Sequence, residues 1–529
     1  MIHLHNHSHY SVLDGLGKVE EIVAKAKELK APAVAITDHA NITCMPELFK
    51  ECEAAGIKPV IGCEFYVVDT AEKPPKGQRE SRYHLTVLAK SWKGVQSIMA
   101  QLSVANGQFY FRPRLTFRQA MDFEDCIIMS ACSAGALSHT DYDSLTHIFS
   151  STYGQDFYLE IMPHAVDFGD GQDAQKVTNE RALEMSQKYG SKLVATNDAH
   201  YVNQADAYTH EILLAIQTGK KWSDPKRWKW DTDELFMRSI AEMISAFKTN
   251  TPYLPDSQVI EAIKNTAEII DKCDVKMPDF EVHLPSIYPN DDEAFSKFLS
   301  EGWTNKIVGK VPDITPYQER LTYEIQVIKS LDFVRYFLMV DDIIRTARAK
   351  GIMVGPARGS AAGSLVCYLM DITQVDPLKH GLFFERFLNP ERIDLPDIDT
   401  DFQDDRRHEV FEYIRDKYGA DFTANINTVG QLTMNSAFRD VARTFEVNNL
   451  KINMLSKQIE DDDSFETVPE LVKFASTKHG RAIVEQAKKL KGTVRQQGVH
   501  ACGYIVSSHP LNEVSVLEKR KDATVVNWD

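Results

Sequence analysis

The stretch VEEIVAKAKELKAPAVAITDH, residues 19–39, places an amphipathic helix directly before a short apolar strand. The same order returns in PELFKECEAAGIKPVIGCEFYVV, residues 46–68. In the helical parts apolar residues recur every three or four positions, whereas the strand parts are nearly unbroken apolar runs. Strands that alternate with helices predict a parallel sheet, either open or closed into a barrel.

The same alternation continues to about residue 275. Further strands are predicted at YHLTVLAK, CIIMSAC, FYLEIM and KLVATNDAHYV, and further helices at GVQSIMAQLSVANGQ and ERALEMSQKYG. In such folds ligands gather where strands end and loops begin. We therefore predict an α/β domain over residues 1–275 and look for its site at the strand ends.

Length and composition narrow the class of protein. A chain of 529 residues is expected to divide into about three domains. The net charge of −16 does not decide for or against DNA, because phosphate binding depends on the local placement of Lys and Arg. The eight cysteines form no CxxC pair, which is typical of a reducing cytosol without a structural zinc finger. No apolar run approaches the roughly 18 residues of a membrane span, and the start MIHLHNHSHY is no secretion signal, so we expect a cytoplasmic protein without membrane contact.

Metal-capable side chains cluster at the predicted strand ends of this first domain. They are His5, His7, Asp14, His39, Glu64, His84, Cys132, Asp198 and His200. Any one such histidine is more often a core or surface residue than a ligand, but the complete set favours a metal site. Imidazole, carboxylate and thiolate together suit Zn²⁺ or Mn²⁺ better than Mg²⁺. So many ligands predict more than one ion, the arrangement used in phosphoester hydrolysis.

After a Pro- and Asp-rich linker at residues 272–292, amphipathic helices lead to VGPARGSAAGSLVCYLMDI. Small residues there form a turn into a helix, whose N–H groups and hydroxyls can approach a triphosphate. The residues are Gly355, Gly359, Ser360, Gly363 and Ser364, with Arg358 adding positive charge. A glycine-rich turn can also serve only tight packing. This one has neither the GxGxxG nor the GxxxxGKS spacing, so a dinucleotide site and a P-loop are not supported.

The acidic stretch LPDIDTDF, residues 395–402, is predicted to be a strand that carries Asp397, Asp399 and Asp401 on one face. Two such carboxylates suit Mg²⁺, although a solvated acidic edge strand remains the alternative. The stretch FFERFLNPERIDLPDIDTDF adds Arg386 and Arg392 just upstream. A phosphate-binding turn with paired carboxylates is the minimal equipment for two-metal nucleotidyl transfer.

The first domain resembles the polymerase-and-histidinol-phosphatase (PHP) domain that begins bacterial replicative DNA polymerases. The resemblance rests on HLHNHS, TDH, GCEFY, YHLTVLAK, SACSAG and NDAH. It implies a distorted (β/α)7 barrel with a three-metal cluster, for which all nine residues named above are the ligands. It also implies that His3 lies outside the cluster, where we interpret it as a hydrogen-bonding residue. His9 is expected to face solvent.

Residues 317–508 resemble the palm and thumb of C-family bacterial replicative polymerases, the family of the polymerase III alpha subunits. Matching stretches are YFLMVDDII, VGPARGSAAGSLV, LFFERFLNPERIDLPDIDTDF, SAFRDVART and RQQGVHACGYIV. The resemblance implies a nucleotidyltransferase-like palm at 276–430, a helical thumb at 431–490 and a return to the palm at 491–529.

The same resemblance implies a role for each candidate residue of this half. Asp399 and Asp401 would bind catalytic Mg²⁺, with Asp397 outside the coordination sphere. The glycine-serine turn, Arg386 and Arg392 would bind the incoming dNTP. Arg439 and Arg443, four apart on one helical face, would contact the backbone of the primed template DNA, unless they form only a surface stripe. Arg495 and His500 would lie near primer or nucleotide.

The third palm aspartate of the family has no counterpart after His500, and Asp529 in VVNWD falls just upstream of its expected place. We therefore expect a polymerase N-terminal portion that needs a C-terminal chain or segment bearing that aspartate and the fingers. That chain is either the other product of a split gene, cellular or viral, or the remainder of a shortened polypeptide. A sliding clamp would bind only through that part. The PHP site is expected to be a 3′–5′ exonuclease. Two alternatives stay open: a free-standing phosphoesterase with a relic palm, and a non-catalytic replisome scaffold.

Overall fold

The computed structural model describes residues 2–167, 171–278, 284–389, 397–520 and 523–528, and the chain divides into two compact units. Unit 1 consists of residues 1–279, 425–503 and 512–529, and unit 2 of residues 280–424 and 504–511. The segments predicted as barrel and thumb thus share one unit. The predicted domain boundaries themselves stay predictions, whereas the α/β multidomain organisation is confirmed.

Unit 1 contains a seven-stranded mixed sheet. Its strands are β1 (Ala33–Ile36), β2 (Lys58–Val68), β3 (Tyr83–Ala89), β4 (Leu115–Thr116), β5 (Cys126–Met129), β6 (Phe157–Ile161) and β7 (Lys192–Ala195). The order is β1-β2-β3-β5-β6-β7, with β4 paired to β2. β1 and β2 are parallel, as are β5, β6 and β7, but β3 runs antiparallel to both of its neighbours. The expectation of a wholly parallel sheet was wrong at β3, because only a loop, with no helical crossover, joins β2 to β3.

Helices accompany the strands of this sheet. They are α1 (Val19–Glu28), α2 (Met45–Ala55), α3 (Trp92–Gly107), α4 (Tyr142–Tyr153), α5 (Ala174–Tyr189), α6 (Ala207–Gln217), α7 (Ile240–Asn250) and α8 (Asp256–Lys272). In α1 the buried residues are Val19, Ile22, Val23 and Ala26, the spacing of one helical face. The helices predicted at 19–30, 46–56, 94–108 and 180–190 are confirmed.

Alternate residues of the strands enter two different cores. In β1, Val34 and Ile36 belong to the large cluster that includes α1, whereas Ala33 and Ala35 belong to a second cluster with Ile269 of α8. Side chains alternate across a strand, so the sheet is apolar on both faces. The functional side chains must therefore leave the sheet at strand ends or reach a gap in this packing.

The remainder of unit 1 adds a helical bundle and most of a small sheet, of which residues 423–424 and 504–506 are assigned to unit 2. The strands are β8 (Thr423–Gln431), β9 (Val494–Val506), β10 (Leu517–Arg520) and β11 (Ala523–Val526), in the order β10-β11-β8-β9. The helices are α14 (Met434–Thr444), α15 (Asn449–Ser456), α16 (Ser464–Thr467), α17 (Pro469–Ala475) and α18 (Lys478–Leu490). This bundle shares a core with α6, in which Phe438 and Leu213 are fully buried.

Unit 2 is built mainly from helices: α9 (Asp291–Lys306), α10 (Thr315–Ser330), α11 (Val334–Ala349), α12 (Leu365–Leu369) and α13 (Arg407–Tyr418). The described residues 273–278 and 284–290 of the predicted linker contain neither helix nor strand. Among the residues that the structure describes, no helix is both long and apolar enough to cross a membrane. All eight cysteines are free thiols.

Candidate functional site

The structure brings all nine predicted metal-binding residues together around Glu64 of β2. Three of them, His39, Cys132 and Asp198, each lie three residues beyond the end of a strand, after β1, β5 and β7. His84 is part of β3. The remaining ones are His5, His7, Asp14 and His200. Their roles as ligands stay predictions, but their proximity is a feature of the fold.

The N-terminal histidines are held by backbone pairing rather than by a regular strand. Asn6 forms an isolated bridge with Ala199, in which the His7 N–H donates to the Ala199 carbonyl at 2.8 Å and the Ala199 N–H donates to the His5 carbonyl at 3.2 Å. This register sets His5 and His7 beside Asp198 and His200. Asp198 has a φ of 46°, in the left-handed region, a conformation that aspartate tolerates better than most residues.

The donor atoms of the cluster approach each other closely. Glu64 Oε1 lies 3.1 Å from His5 Nε2 and 3.0 Å from His84 Nδ1. Glu64 Oε2 lies 2.7 Å from His39 Nδ1, and His39 Nε2 lies 3.3 Å from Asp14 Oδ2. The Cys132 Sγ is 3.5 Å from His84 Nδ1, and His200 Nδ1 is 3.6 Å from Asp198 Oδ1.

A hydrogen-bond chain fixes the tautomer of His7. The Ser11 hydroxyl donates to Asp38 Oδ1 at 2.7 Å, so it can only accept from His7 Nδ1, which lies 3.0 Å away. His7 Nε2 then carries a lone pair that faces Asp198 Oδ1 at 3.1 Å. Burial first, and then His39 and His200, lower the pKa of His7 to about 3, so the ring is neutral. A lone pair directed at a carboxylate is repulsive unless a cation lies between them.

Burial and charge also favour a cation at the other donors. Burial opposes ionisation of Glu64, yet His84 and His5 hold its pKa well below the ordinary value. Burial likewise opposes ionisation of Asp198, but His5 and His200 hold its pKa well below the ordinary value. Burial, Asp198 and Glu64 raise the pKa of Cys132 well above the ordinary value, so its proton leaves only in exchange for a cation. Buried atoms without a hydrogen-bond partner include Nε2 of His5 and His7, Nδ1 of His39, Oε2 of Glu64 and Oδ1 of Asp198.

The donor atoms fit a centre with more than one ion. Three sets of three donors lie within 4.8 Å of one another: His7 with His39 and His200, His5 with His7 and Glu64, and His39 with Glu64 and His84. Histidines and carboxylates at such separations match the ligand types of Zn²⁺ and Mn²⁺ centres. The side chains of Asp14, His39 and His84 are 18%, 12% and 18% exposed, whereas those of His5 and His7 are fully buried, so the cluster opens to solvent on one side.

Two buried carboxylates support the cluster and were missed in the sequence. Glu160, in β6, accepts hydrogen bonds from His5 Nδ1 at 2.9 Å, Ala131 N at 2.9 Å and Thr196 Oγ1 at 2.6 Å. Asp38 accepts from Ser8 N and from the hydroxyls of Ser8 and Ser11, each at 2.7 Å. Glu160 sits in an apolar strand, FYLEIM, and a buried acid in such a run was the only available signal.

The other two N-terminal histidines lie beside the cluster. His3 Nε2 is 2.8 Å from the Arg238 carbonyl and takes no part in the three donor sets, as expected of a residue outside them. The expectation that His9 faces solvent was wrong. His9 is only 3% exposed, because the bridge between Ser8 and Gly17 turns this segment inward, and burial lowers the pKa of His9 to about 4.

The second candidate site, the acidic pair Asp399 and Asp401, lies in unit 2. No regular strand is present over the described residues 397–402, contrary to expectation. Instead, Gly355 N donates to the Asp401 carbonyl at 2.8 Å, and Phe402 forms an isolated antiparallel bridge with Val354. The predicted alternation nevertheless holds: Asp397 and the acidic pair are exposed, while residues 398 and 402 pack towards the core.

The glycine turn approaches the acidic pair closely. A Cβ at Gly359, whose φ is 64°, would lie 2.9 Å from Asp399 Oδ2, and a Cβ at Gly355 would lie 3.0 Å from Asp401 Cβ. Arg358 Nη1 is 2.9 Å from Asp401 Oδ1, and its Nε is 4.0 Å from Asp399 Oδ2. A side chain at either glycine would therefore press on an aspartate side chain of the acidic pair, and the positive φ of Gly359 is itself a conformation that favours glycine.

Two residues of the predicted nucleotide site have structural uses. The buried Ser364 accepts from Cys367 N at 3.1 Å as the N-cap of α12, and its hydroxyl donates to Glu324 Oε2 at 2.8 Å. A Cβ at Gly363 would lie 2.5 Å from the Phe383 carbonyl oxygen, so this glycine serves packing. Both residues are buried, and their assignment to nucleotide binding stays a prediction. Ser360 is exposed.

The two remaining arginines of this site have different standing. Arg386 ends a short 3₁₀ turn, Phe384–Arg386, and is exposed. Arg392 lies outside the described residues.

The predicted DNA-contacting residues lie in unit 1. Arg443 Nη1 and Arg495 Nε both donate to the buried Asp440, at 3.1 Å and 2.8 Å. Arg439, a helical turn before Arg443, donates to Asn453 Oδ1 at 3.3 Å. His500 is exposed in β9, and its Nδ1 accepts from Gly503 N at 2.6 Å. A groove lined by Arg443 and Arg495 is also lined by Lys220 and Lys221, which no sequence motif indicated.

Two family profiles match the chain. Residues 3–164 match the PHP domain. This segment supplies most of the residues of the metal cluster. Residues 293–529 match the family described as the bacterial DNA polymerase III alpha NTPase domain. These two matches confirm the resemblance that the motifs indicated, to the PHP domain in one segment and to bacterial DNA polymerase III alpha in the other.

Curated relatives agree with both matches over nearly the whole chain. The DNA polymerase III subunit alpha of Campylobacter jejuni is 35% identical over 96% of this chain and 45% of that protein. The corresponding subunit of Borreliella burgdorferi is 36% identical over 98% of this chain and 46% of its own length. The subunit of Thermus aquaticus is 33% identical over 100% of this chain and 49% of its own length. The chain spans about half the length of the curated relatives it matches.

Proposed function

We propose that this chain is the N-terminal part of a replicative DNA polymerase that adds dNTPs to a primer 3′-hydroxyl. The observation that carries the proposal is the match of residues 293–529 to a polymerase family. Within this segment of the chain the acidic pair lies against the glycine turn. Mg²⁺ bound there would activate the 3′-hydroxyl and stabilise the leaving pyrophosphate. Asp399 and Asp401 are the residues that would hold it.

The surrounding residues of unit 2 would bind the triphosphate. Gly355 and Gly359 leave the backbone open to close approach, and the exposed Ser360 offers a hydroxyl. Arg358 and Arg386 would neutralise phosphate oxygens, as would Arg392. No covalent intermediate with the protein is required, because positioning and charge supply the rate.

We assign the DNA contacts to the helical bundle and to β9 of unit 1. Arg439, Arg443 and Arg495 would meet the phosphates of the primed template, and His500 would lie near the primer terminus. The relatives' additional length is where we propose that the third carboxylate, the fingers and the clamp contact lie, whether in the same polypeptide or a separate one.

A second activity is favoured by the completeness of the nine-residue cluster. We propose that this cluster holds Zn²⁺ or Mn²⁺ and removes nucleotides from DNA 3′ ends. Such ions would supply an activated water and stabilise charge on the phosphate. The residues of the chain orient the site: Glu160 fixes His5, Ser11 and Asp38 fix His7, and the exposed edge at Asp14 and His39 admits substrate.

The exonuclease is tested with a double variant, Asp198→Asn with His200→Ala. Zn²⁺ or Mn²⁺ content should exceed one ion per chain in the wild type and fall in the variant, and release of nucleotides from single-stranded 3′ ends should vanish. The matched control is Asp416→Asn with His408→Ala, an exposed acid and histidine of α13. Equal degradation by all three proteins would assign the activity to a contaminant. Hydrolysis of small monoesters without DNA hydrolysis would instead favour a free-standing phosphoesterase.

The polymerase is tested by primer extension with Mg²⁺, using the chain combined with the polypeptide that corresponds to the rest of its relatives' length. Asp401→Asn should lower nucleotide incorporation by several orders of magnitude, since half of the clamp on the cations is lost. Asp397→Asn, on the same exposed face but outside the pair, is the control. Near wild-type extension by Asp401→Asn would refute the assignment.

A further inference from the structure

A cleft of about 450 Å³ lies at the exposed edge of the metal cluster. Asp14 and His39 of the cluster line it, together with Tyr66, Phe109 and Arg112. The Tyr66 ring stacks on His39, with ring centres 5.6 Å apart, and meets His84 edge-on. The Arg112 guanidinium lies 6.0 Å from the centre of the Tyr66 ring. An aromatic and cationic wall therefore leads directly to the candidate metal centre.

This wall continues into a short segment, Phe109–Arg112, that we call the aromatic turn. Phe109 is 54% exposed and Phe111 is 72% exposed, large values for aromatic side chains. Phe111 has a φ of 60°, a left-handed conformation that is rare for a bulky residue. Backbone strain of this kind, held beside a candidate site, points to function.

The aromatic turn is held firmly in place. Tyr110 N donates to the Arg112 carbonyl at 3.1 Å, which closes the turn at Phe111. Behind it, the buried Arg114 donates through Nε to the Gln108 carbonyl and through Nη2 to the Ala71 carbonyl, each at 2.8 Å, and pairs with Glu80. A fully buried arginine is thus used to fix the base of an exposed aromatic loop. The rings are presented to solvent without the entropy that a mobile loop would lose on binding.

Positive charge accompanies these rings on the cleft wall. Arg112 is exposed, and Lys519, an exposed residue of β10, also lines the cleft. Proteins bind unpaired nucleotides with exposed aromatic rings interleaved with cations. Each base can stack on a ring, and each phosphate of the backbone carries a negative charge that a cation can neutralise. A duplex, whose bases are already stacked, offers these rings nothing to stack on.

We propose that the aromatic turn is a stacking platform that binds the bases of single-stranded DNA, with Arg112 and Lys519 on its phosphates, and guides the 3′ end to the metal cluster. The proposal rests on the exonuclease proposed above, whose substrate it specifies. It assigns Phe109 and Phe111 to substrate positioning, and it requires no new chemistry.

The binding site is tested by photocrosslinking with a DNA strand of about ten nucleotides, which carries 4-thiothymidine near its 3′ end and phosphorothioate links that resist hydrolysis. The crosslink should map to residues 108–114. A crosslink confined to the groove lined by Arg443 and Arg495 would overturn the proposal. Because the strand is not cleaved, this result does not depend on exonuclease activity.

Affinity gives the second test, by fluorescence anisotropy of the same strand. Phe109→Ala and Phe111→Ala should each raise Kd roughly 5- to 150-fold, the range that base stacking supplies, while Phe109→Tyr should restore binding. Arg112→Gln should reduce the slope of log Kd against log salt by about 0.7, the value for one phosphate contact on a single strand. Arg118→Gln, an exposed arginine outside the cleft, should not change that slope.

The metal content of each variant separates the two proposals. Neither phenylalanine is a metal-binding candidate, so Phe109→Ala and Phe111→Ala should keep the Zn²⁺ or Mn²⁺ content of the wild type. Weakened DNA binding with unchanged metal content supports the platform. If the wild type cleaves no DNA while the variants still bind it more weakly, the exonuclease fails and the platform stands. Wild-type affinity and salt slope in all variants would overturn the platform, whatever the nuclease does.

Discussion

Replacing Glu160 with glutamine tests whether the cluster depends on the carboxylate behind it. Glu160 is 1% exposed, and its Oε2 accepts from both His5 Nδ1 and Thr196 Oγ1. In Glu160→Gln an amide NH₂ occupies that position, while the other oxygen continues to accept from Ala131 N. The Thr196 hydroxyl can rotate to accept, but the His5 N–H cannot.

To bind metal His5 must be neutral, with its one ring proton on Nδ1, and opposite an amide NH₂ that proton must move to Nε2. Nε2 is the atom that lies 3.1 Å from Glu64 Oε1 and 3.3 Å from Asp198 Oδ1, within the donor set. The substitution therefore removes a lone pair from the cluster without touching a ligand. Outer partners of this kind change metal affinity about 10- to 100-fold, or about 1.4–2.7 kcal/mol.

The assay is competition between protein and a chelator for Zn²⁺, with metal content measured at each chelator concentration. Glu324→Gln is the matched control. Glu324 is also a fully buried glutamate, but it lies in unit 2, where its carboxylate accepts hydrogen bonds from the Ser364 hydroxyl and the Arg320 guanidinium. Its metal retention should equal that of the wild type. If Glu160→Gln keeps its fold by circular dichroism and retains metal as well as the control, the tautomer argument is refuted.

Three further expectations concern the scaffold. Gly302→Ala should lower the free energy of unfolding, measured in urea, by about 1–3 kcal/mol, because its Cβ would lie 2.1 Å from the Leu369 carbonyl oxygen. Gly107 has open space around it, so Gly107→Ala should not lower the free energy of unfolding. Gly359→Ala should lower primer extension in the combined polymerase yet leave the Zn²⁺ or Mn²⁺ content unchanged, because the added Cβ would displace only the Asp399 carboxylate. Asp440→Asn should cost about 1–3 kcal/mol of stability, measured by thermal unfolding, because one of the two arginines then faces an amide NH₂ group in place of a buried acceptor.

The sequence was informative wherever pattern and chemistry coincide. The run 58–68 is apolar apart from Lys58 and Glu64 and folds as β2 with the predicted bounds, because both faces of that strand are buried. The nine cluster residues could be named in advance because ligands follow strand ends, and three of them lie three residues past β1, β5 and β7. Motif and period determined these features together.

What escaped prediction depends on partners that are distant in the chain. Glu160 looks like an odd polar residue in an apolar strand, and only the fold brings it to His5, 155 positions away. The antiparallel direction of β3 follows from a loop with no helical signal. Ser364 was assigned to phosphate, whereas the fold buries its hydroxyl against Glu324, 40 positions upstream. Side-chain chemistry gives the options at each position, and tertiary contacts choose among them.

Arg358 is compatible with both interpretations of the glycine turn, tight packing and nucleotide binding. Its guanidinium neutralises two half-exposed carboxylates that would otherwise repel each other, so it holds the turn against the acidic pair. Under the proposed function, divalent cations would take over that neutralisation with greater charge. The guanidinium, on an exposed turn only a few ångströms away, would then be released towards the phosphates that the same cations bring. The packing of the turn on the acids and its role in binding nucleotide are therefore successive uses of one arrangement, since both depend on the same local excess of negative charge.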